Sequence, residues 1–115
     1  MKKWYNYEFQ SAPRTGADFK QFARDLRKEL KRQLGKIDCQ IVKYSVNHFE
    51  VSGFVEKDGK FVYFRVGDVR YKFNWHADVL IRTAESTTDF RGGRNQRTSL
   101  ESFGESIRKL LERNK

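Results

Sequence analysis

From Phe19 onward the apolar residues Phe19, Phe22, Ala23, Leu26, Leu30 and Leu34 recur at steps of three and four. This spacing gathers them on one face of an α-helix. Thr15 and, three residues on, Asp18 offer a hydroxyl and a carboxylate to the unpaired amides of a first turn. Gly35 follows the last apolar position and reads as the C-terminal stop. Beyond it the pattern changes. Residues 37–47, 48–56, 60–68 and 78–84 are rich in β-branched and aromatic side chains and read as strands. Between the second and third, Lys57-Asp58-Gly59-Lys60 carries an Asp-Gly pair. That pair tolerates positive φ in a tight hairpin, so these two strands are expected to be antiparallel neighbours. Residues 69–77, VRYKFNWHA, alternate apolar with polar and fit a strand extension or a loop bearing Trp75 and His76. Helical spacing returns over residues 98–113, with Leu100, Phe103, Ile107, Leu110 and Leu111 on one face and Thr98-x-x-Glu101 as a capping box.

The predicted order is α-β-β-β-β-α. Two amphipathic helices covering one face of an antiparallel four-stranded sheet make an α+β fold, a two-layer sandwich with an N-terminal and a C-terminal helix. The 115 residues suit a single domain over residues 1–115, and no internal repeat or linker interrupts them. Residues 1–13 read as an extended aromatic arm (Trp4, Tyr5, Tyr7, Phe9) that ends at the only proline. In the third strand Val62, Phe64 and Val66 share the face expected to be core. Phe61, Tyr63 and Arg65 share the other. That second set invites comparison with base-stacking sheets, but it fits an aromatic cross-strand cluster better, and the element order differs from that of the RNA-recognition fold.

Composition narrows the function classes. Charged residues reach 34%, yet 15% aromatics supply the core that a disordered chain lacks. A net charge of +9 and a sequence pI of 9.8 attract phosphates and acidic proteins and exclude DNA mimicry by surface carboxylates. The single cysteine, Cys39, cannot form an internal disulfide and fits a reducing compartment. No run approaches the roughly 18 apolar residues of a membrane span, and MKKWYNYEFQ lacks a signal-peptide core. A soluble, cytoplasmic protein is expected.

Two groups of cations stand out. Around the first helix Lys20, Arg24, Arg27 and Lys31 fall at about 80 to 140° from the apolar centre, and Asp18, Asp25 and Glu29 at about 240 to 280°. Such a stripe is either a solvated flank or a docking surface for nucleic acid or an acidic protein groove. The second group lies in DFRGGRNQRTSLES, where Arg91, Arg94 and Arg97 accompany Gly92 and Gly93 ahead of a helix. These are the ingredients of a phosphate site. The stretch lacks both the Gly-Lys-Ser/Thr of a P-loop and G-x-G-x-x-G, however, so it reads as an exposed contact surface.

Catalytic chemistry is poorly represented. His76 and Asp78 would share a strand face, and Cys39 and His48 could meet across neighbouring strands, but neither pair has the C-x-x-C or H-x-x-x-H spacing of a zinc site. No serine elbow or carboxylate pair in an apolar setting is present. We expect a non-enzyme without cofactor.

At WHADVLIRTAESTTDFRGGRNQRTSLESFGESIRKLL, Trp75 to Leu111, the sequence resembles small accessory proteins encoded on phages, plasmids and conjugative elements of Gram-positive bacteria. Leu80 to Ala84, Asp89 and Phe90, Gly92 and Gly93, Asn95, and Thr98 to Leu100 carry the resemblance, which covers a third of the chain. Gene neighbourhoods of this type contain anti-CRISPR proteins, many of which inhibit Cas9. The resemblance implies a host-directed accessory role and transfers no functional residue. The expectation is therefore a phage or mobile-element binding protein in the bacterial cytoplasm. It would be an anti-CRISPR that binds a type II Cas9, or its guide RNA complex, stoichiometrically and blocks DNA loading or activation. The alternatives are a basic module for single-stranded DNA or RNA and, third, a metal-dependent nuclease.

Overall fold

A computed structural model describes residues 16–47, 50–67, 79–89 and 94–113. Its elements run α1 (Gly16–Gly35), β1 (Gln40–Asn47), β2 (Glu50–Lys57), β3 (Lys60–Val66), β4 (Val79–Ala84), β5 (Gln96–Thr98) and α2 (Phe103–Arg113). The five strands form one antiparallel sheet in sequential order, β1-β2-β3-β4-β5. The fold is α+β, as the periodicity predicts, but with five strands rather than four. The additional strand consists of three polar residues without an alternating pattern. It exists because Gln96, Arg97 and Thr98 pair with Ile81, Leu80 and Val79.

That strand also moves the start of the last helix. Thr98, expected as its cap, belongs to β5 and places its hydroxyl 2.6 Å from that of Ser106. Ser99 takes over the capping role, its Oγ accepting the Ser102 N–H at 3.0 Å, and α2 begins at Phe103. The end of α1 is displaced in a similar way. Gly35 stays helical, and the residue that turns the chain in the left-handed region is Asp38, with φ 56°. Thr15 lies outside the described residues.

Both helices cover the same face of the sheet, α1 over β1 and α2 over β3 and β4, and they touch each other. Phe22, Leu26, Leu30 and Leu34 of α1 are buried with Val51, Val55, Val62, Phe64, Val66 and Ile81 of the sheet and Leu100, Phe103 and Ile107 beyond it. The Phe64 ring meets Phe103 edge-on, with centroids 5.5 Å apart. Each such aromatic or aliphatic side chain contributes about 1.5–3 kcal/mol on burial, so the middle of the sheet under the two helices is where the fold is anchored.

The β2–β3 hairpin forms as the Asp-Gly pair requires, with φ 53° at Asp58 and 80° at Gly59. Glu56 Oε2 accepts the Gly59 N–H at 2.8 Å, a hydrogen bond that holds the Glu56 carboxyl below its ordinary pKa. Between β1 and β2 the register shifts between Ile41 and Lys43. The bulge brings the Lys43 carbonyl so close to Gly53 that a Cβ there would stand 2.0 Å from its oxygen. Only glycine fits.

Candidate functional site

Alpha-helix α1 has two charged flanks with different fates. On the acidic flank Glu29 is only 5% exposed. It accepts both guanidinium nitrogens of Arg32, at 2.9 and 2.7 Å, and the Gln33 amide at 2.9 Å. The Gln33 amide spans the seam between the helices. Its nitrogen donates to the Leu100 carbonyl at 2.8 Å and its oxygen accepts the Gly104 N–H at 2.7 Å. On this flank Asp25 is half-buried, its Oδ1 accepting the Gln21 amide at 3.0 Å, and Glu29 is interior. The helical wheel alone would leave it in solvent.

The basic flank faces the other way. Lys20, Arg24, Arg27 and Lys31 are all exposed. Arg24 donates to Gln21 Oε1 at 2.8 Å, and the Arg27 guanidinium lies 5.2 Å from the centre of the Tyr44 ring on β1. The Tyr44 hydroxyl donates to the Ala23 carbonyl at 2.7 Å, and burial pushes its pKa upward. Helix α1 is thus pinned over β1 with its cations toward the outer side of the sheet. Strand β1 is itself an edge strand, and Val42 (41%) and Val46 (47%) are the exposed large hydrophobic residues among those described.

The second basic group lies elsewhere. Arg94 and Arg97 are exposed at the β5 edge, four strand spacings from β1, or about 19 Å at ~4.8 Å each. Arg91 lies outside the described residues. Arg97 pairs with Leu80 on the face away from the helices, because Val79 and Ile81 on either side of Leu80 point into the core. The two groups of cations expected as contact surfaces thus stay apart, an α1 stripe of Lys20, Arg24, Arg27 and Lys31 and, at β5, Arg94 and Arg97. Strand β5 also separates Arg94 from α2, where the Gly104 N–H is taken by Gln33 and the Ser102 N–H just ahead of the helix by Ser99. The helix start is occupied by the protein's own side chains.

The far face of the sheet bears the aromatic cluster that β3 predicted. Phe54, Tyr63 and Arg82 align across β2, β3 and β4. Phe54 and Tyr63 have ring centroids 5.2 Å apart, and the Arg82 guanidinium lies 4.4 Å from the Tyr63 ring centre. Arg82 is only 5% exposed and also donates to the Asp89 carbonyl at 3.1 Å. Arg65 is exposed and paired with Glu50 at 2.8 Å. Sequence reading overlooked Arg82. Its position between inward-facing Ile81 and Thr83 in an alternating strand is the signal that could have found it.

Cys39 is buried, and burial raises its thiol pKa to about 11, leaving it protonated and unreactive at neutral pH. Among the described residues no group of three His, Cys, Asp or Glu side chains could hold a metal ion. His48, His76 and Asp78 lie outside them. A cleft between the hairpin turn and α2 is lined by Lys57, Lys60 and Arg108 together with Asp58 and Glu112. Its charges offset one another, since Arg108 already binds Glu105 and Glu112. No helix among the described residues is long and apolar enough to cross a membrane. No protein family, curated protein or solved structure matches this chain.

Proposed function

We propose that this chain is a non-catalytic binding protein that docks an acidic partner on the Lys20, Arg24, Arg27 and Lys31 flank of α1. One observation supports this reading above the others. On α1 Glu29 is buried and bound by Arg32 and Gln33, and Asp25 accepts the Gln21 amide, whereas the exposed cations lie together on the other flank, where Arg24 donates to Gln21 and Arg27 lies over the Tyr44 ring. A merely solubilising surface intersperses both signs. The resemblance of residues 75–111 to accessory proteins of mobile elements makes a type II Cas9, with or without guide RNA, the target to test. Arg94 and Arg97 at the opposite edge then act as a separate, secondary contact, to which Arg91 is assigned from the sequence alone.

The test is co-elution with several type II Cas9 enzymes, with and without guide RNA, followed by a DNA-cleavage assay. Stoichiometric co-elution and inhibition are expected, both lost when Lys20, Arg24, Arg27 and Lys31 are all replaced by glutamate. Retention of binding by that variant would remove the stripe from the function. A second reading, a module for single-stranded DNA or RNA, is favoured by the spacing of the same four cations, which can follow a phosphate backbone. It predicts binding to bare oligonucleotides with a log–log salt slope of about −3 for four phosphate contacts on a single strand. A protein-directed inhibitor binds such oligonucleotides weakly.

A further inference from the structure

Residues three apart on a regular strand point to opposite faces, yet Ile41 and Tyr44 of β1 both pack against the core beneath the helices. The bulge between Ile41 and Lys43 is the reason, since it inserts one residue and reverses the alternation from that point on. Gly53, paired with Tyr44, makes room for it, because the Lys43 carbonyl fills the place where a Cβ would stand. Tyr44 is thereby turned toward α1. Its hydroxyl donates to the Ala23 carbonyl at 2.7 Å, and its ring centre lies 5.2 Å from the Arg27 guanidinium. The four cations of the flank are consequently not equivalent. Lys20 and Lys31 are exposed, and Arg24 donates to Gln21 of its own helix. Arg27 is exposed as well, but the sheet holds its guanidinium from below.

We propose that Arg27 is the anchor of the α1 contact, taking a glutamate or aspartate carboxylate of the partner protein, and that Tyr44 is its positioning residue. The inference rests on the reading of this flank as a contact for an acidic partner, and adds which cation selects the ligand and what fixes it. The planar fork of a guanidinium matches both oxygens of a carboxylate. Drawn to the ring face before the partner arrives, it has less side-chain freedom to lose on binding. The same asymmetry names the occupant as a protein. A phosphate backbone draws on its cations interchangeably, whereas a protein contact concentrates its affinity in a few well-placed arginine and aromatic side chains. Val46, on the same face of β1 as Tyr44, is 47% exposed and offers such a partner apolar surface beside the anchor.

The probe is fluorescein-labelled hexaglutamate, with association and dissociation rates read by anisotropy on the full chain at fixed salt. Arg27→Lys, which keeps the charge, should weaken binding by roughly tenfold through faster dissociation. Arg24→Lys should change it by less than about twofold. Tyr44→Leu should match Arg27→Lys, and Tyr44→Phe, which keeps a ring beneath the guanidinium, should bind within about twofold of wild type. Because Tyr44→Leu can loosen the packing of α1, a second measurement uses the unaltered chain. In its NMR spectrum the Arg27 δ-protons should be shifted upfield by the Tyr44 ring, and the Arg27 Nε–H should be the arginine signal that moves most when hexaglutamate is added. Equal effects of Arg27→Lys and Arg24→Lys, an unresponsive Arg27 Nε–H, or no hexaglutamate binding each overturn the anchor. Loss of Cas9 binding in the quadruple glutamate variant then leaves the stripe reading standing alone. Tighter binding of a thymidine oligonucleotide of equal charge, unaffected by Arg27→Lys, also overturns the inference and assigns the flank to phosphates. If Cas9 binding persists in the quadruple glutamate variant, the stripe reading itself fails.

Discussion

The two edges of the sheet are built in opposite ways. Strand β5 is three residues long and is tied into the molecule at its end, where the Thr98 hydroxyl meets Ser106 and Ser99 caps the turn into α2. Strand β1 is eight residues long, with exposed valines and a row of exposed cations alongside it. The contrast follows from where the helices lie. Helix α2 follows β5 after a short turn and closes that side, whereas the flank of α1 over β1 points away from its neighbour. One edge is tied into α2, and the other carries α1 and its exposed cations.

Substitutions can break that comparison at either edge. The largest effect is expected from Gly53→Ala, whose Cβ would lie 2.0 Å from the Lys43 carbonyl oxygen. Strand β1 would have to leave β2, costing on the order of 4 kcal/mol, the upper range for one substitution. Chemical denaturation measures it, and partner binding should vanish with the fold. Next, Gln33→Ala strips partners from the buried Gly104 N–H and Leu100 carbonyl, for a loss of about 2–4 kcal/mol. This acts on the α2 side and should leave the affinity of the remaining folded protein for a ligand of the α1 cations unchanged.

A smaller change comes with pH. The native state holds the Cys39 proton to about pH 11, the unfolded chain only to about 9.0. The thiol therefore contributes stability that is complete below pH 9 and lost as pH rises through 11. The difference between wild type and Cys39→Ala in denaturation midpoints across this window should narrow as pH rises. Ser99→Ala, at the closed edge, should cost about 1 kcal/mol through loss of the Ser102 cap. Replacing the four α1 cations by glutamate is expected to change stability least, within about 0.5 kcal/mol per site, while removing partner binding. A large stability loss there would mean that the stripe serves the fold.

Much of this architecture was legible because it is local. The three-and-four spacing from Phe19 to Leu34 gave α1, alternation in Val62, Phe64 and Val66 gave the inner face of β3, and Asp58-Gly59 gave the hairpin. Strand β5 was not legible, since Gln96, Arg97 and Thr98 become a strand only through β4. Thr98 looked like a helix cap for the same reason: the competing bond to Ser106 is specified by tertiary position. Of the candidate surface, the grouping of Lys20, Arg24, Arg27 and Lys31 could be read from the wheel. The interior placement of Glu29 could not, because it depends on where α2 packs. Nor could the separation of Arg94 and Arg97 from that stripe, which is set by strand order.

The Gln33 amide joins positions 67 and 71 residues further along the chain. During synthesis α1 emerges early, yet its seam with α2 cannot close until Gly104 has left the ribosome. Until then Gln33 lacks the Leu100 carbonyl and the Gly104 N–H as partners. This places α1 docking late in folding, after the β2–β3 hairpin, whose contacts are local. Refolding is therefore expected to form the β2–β3 hairpin before the α1–α2 seam closes, with the Gly104 amide among the later-protected hydrogens.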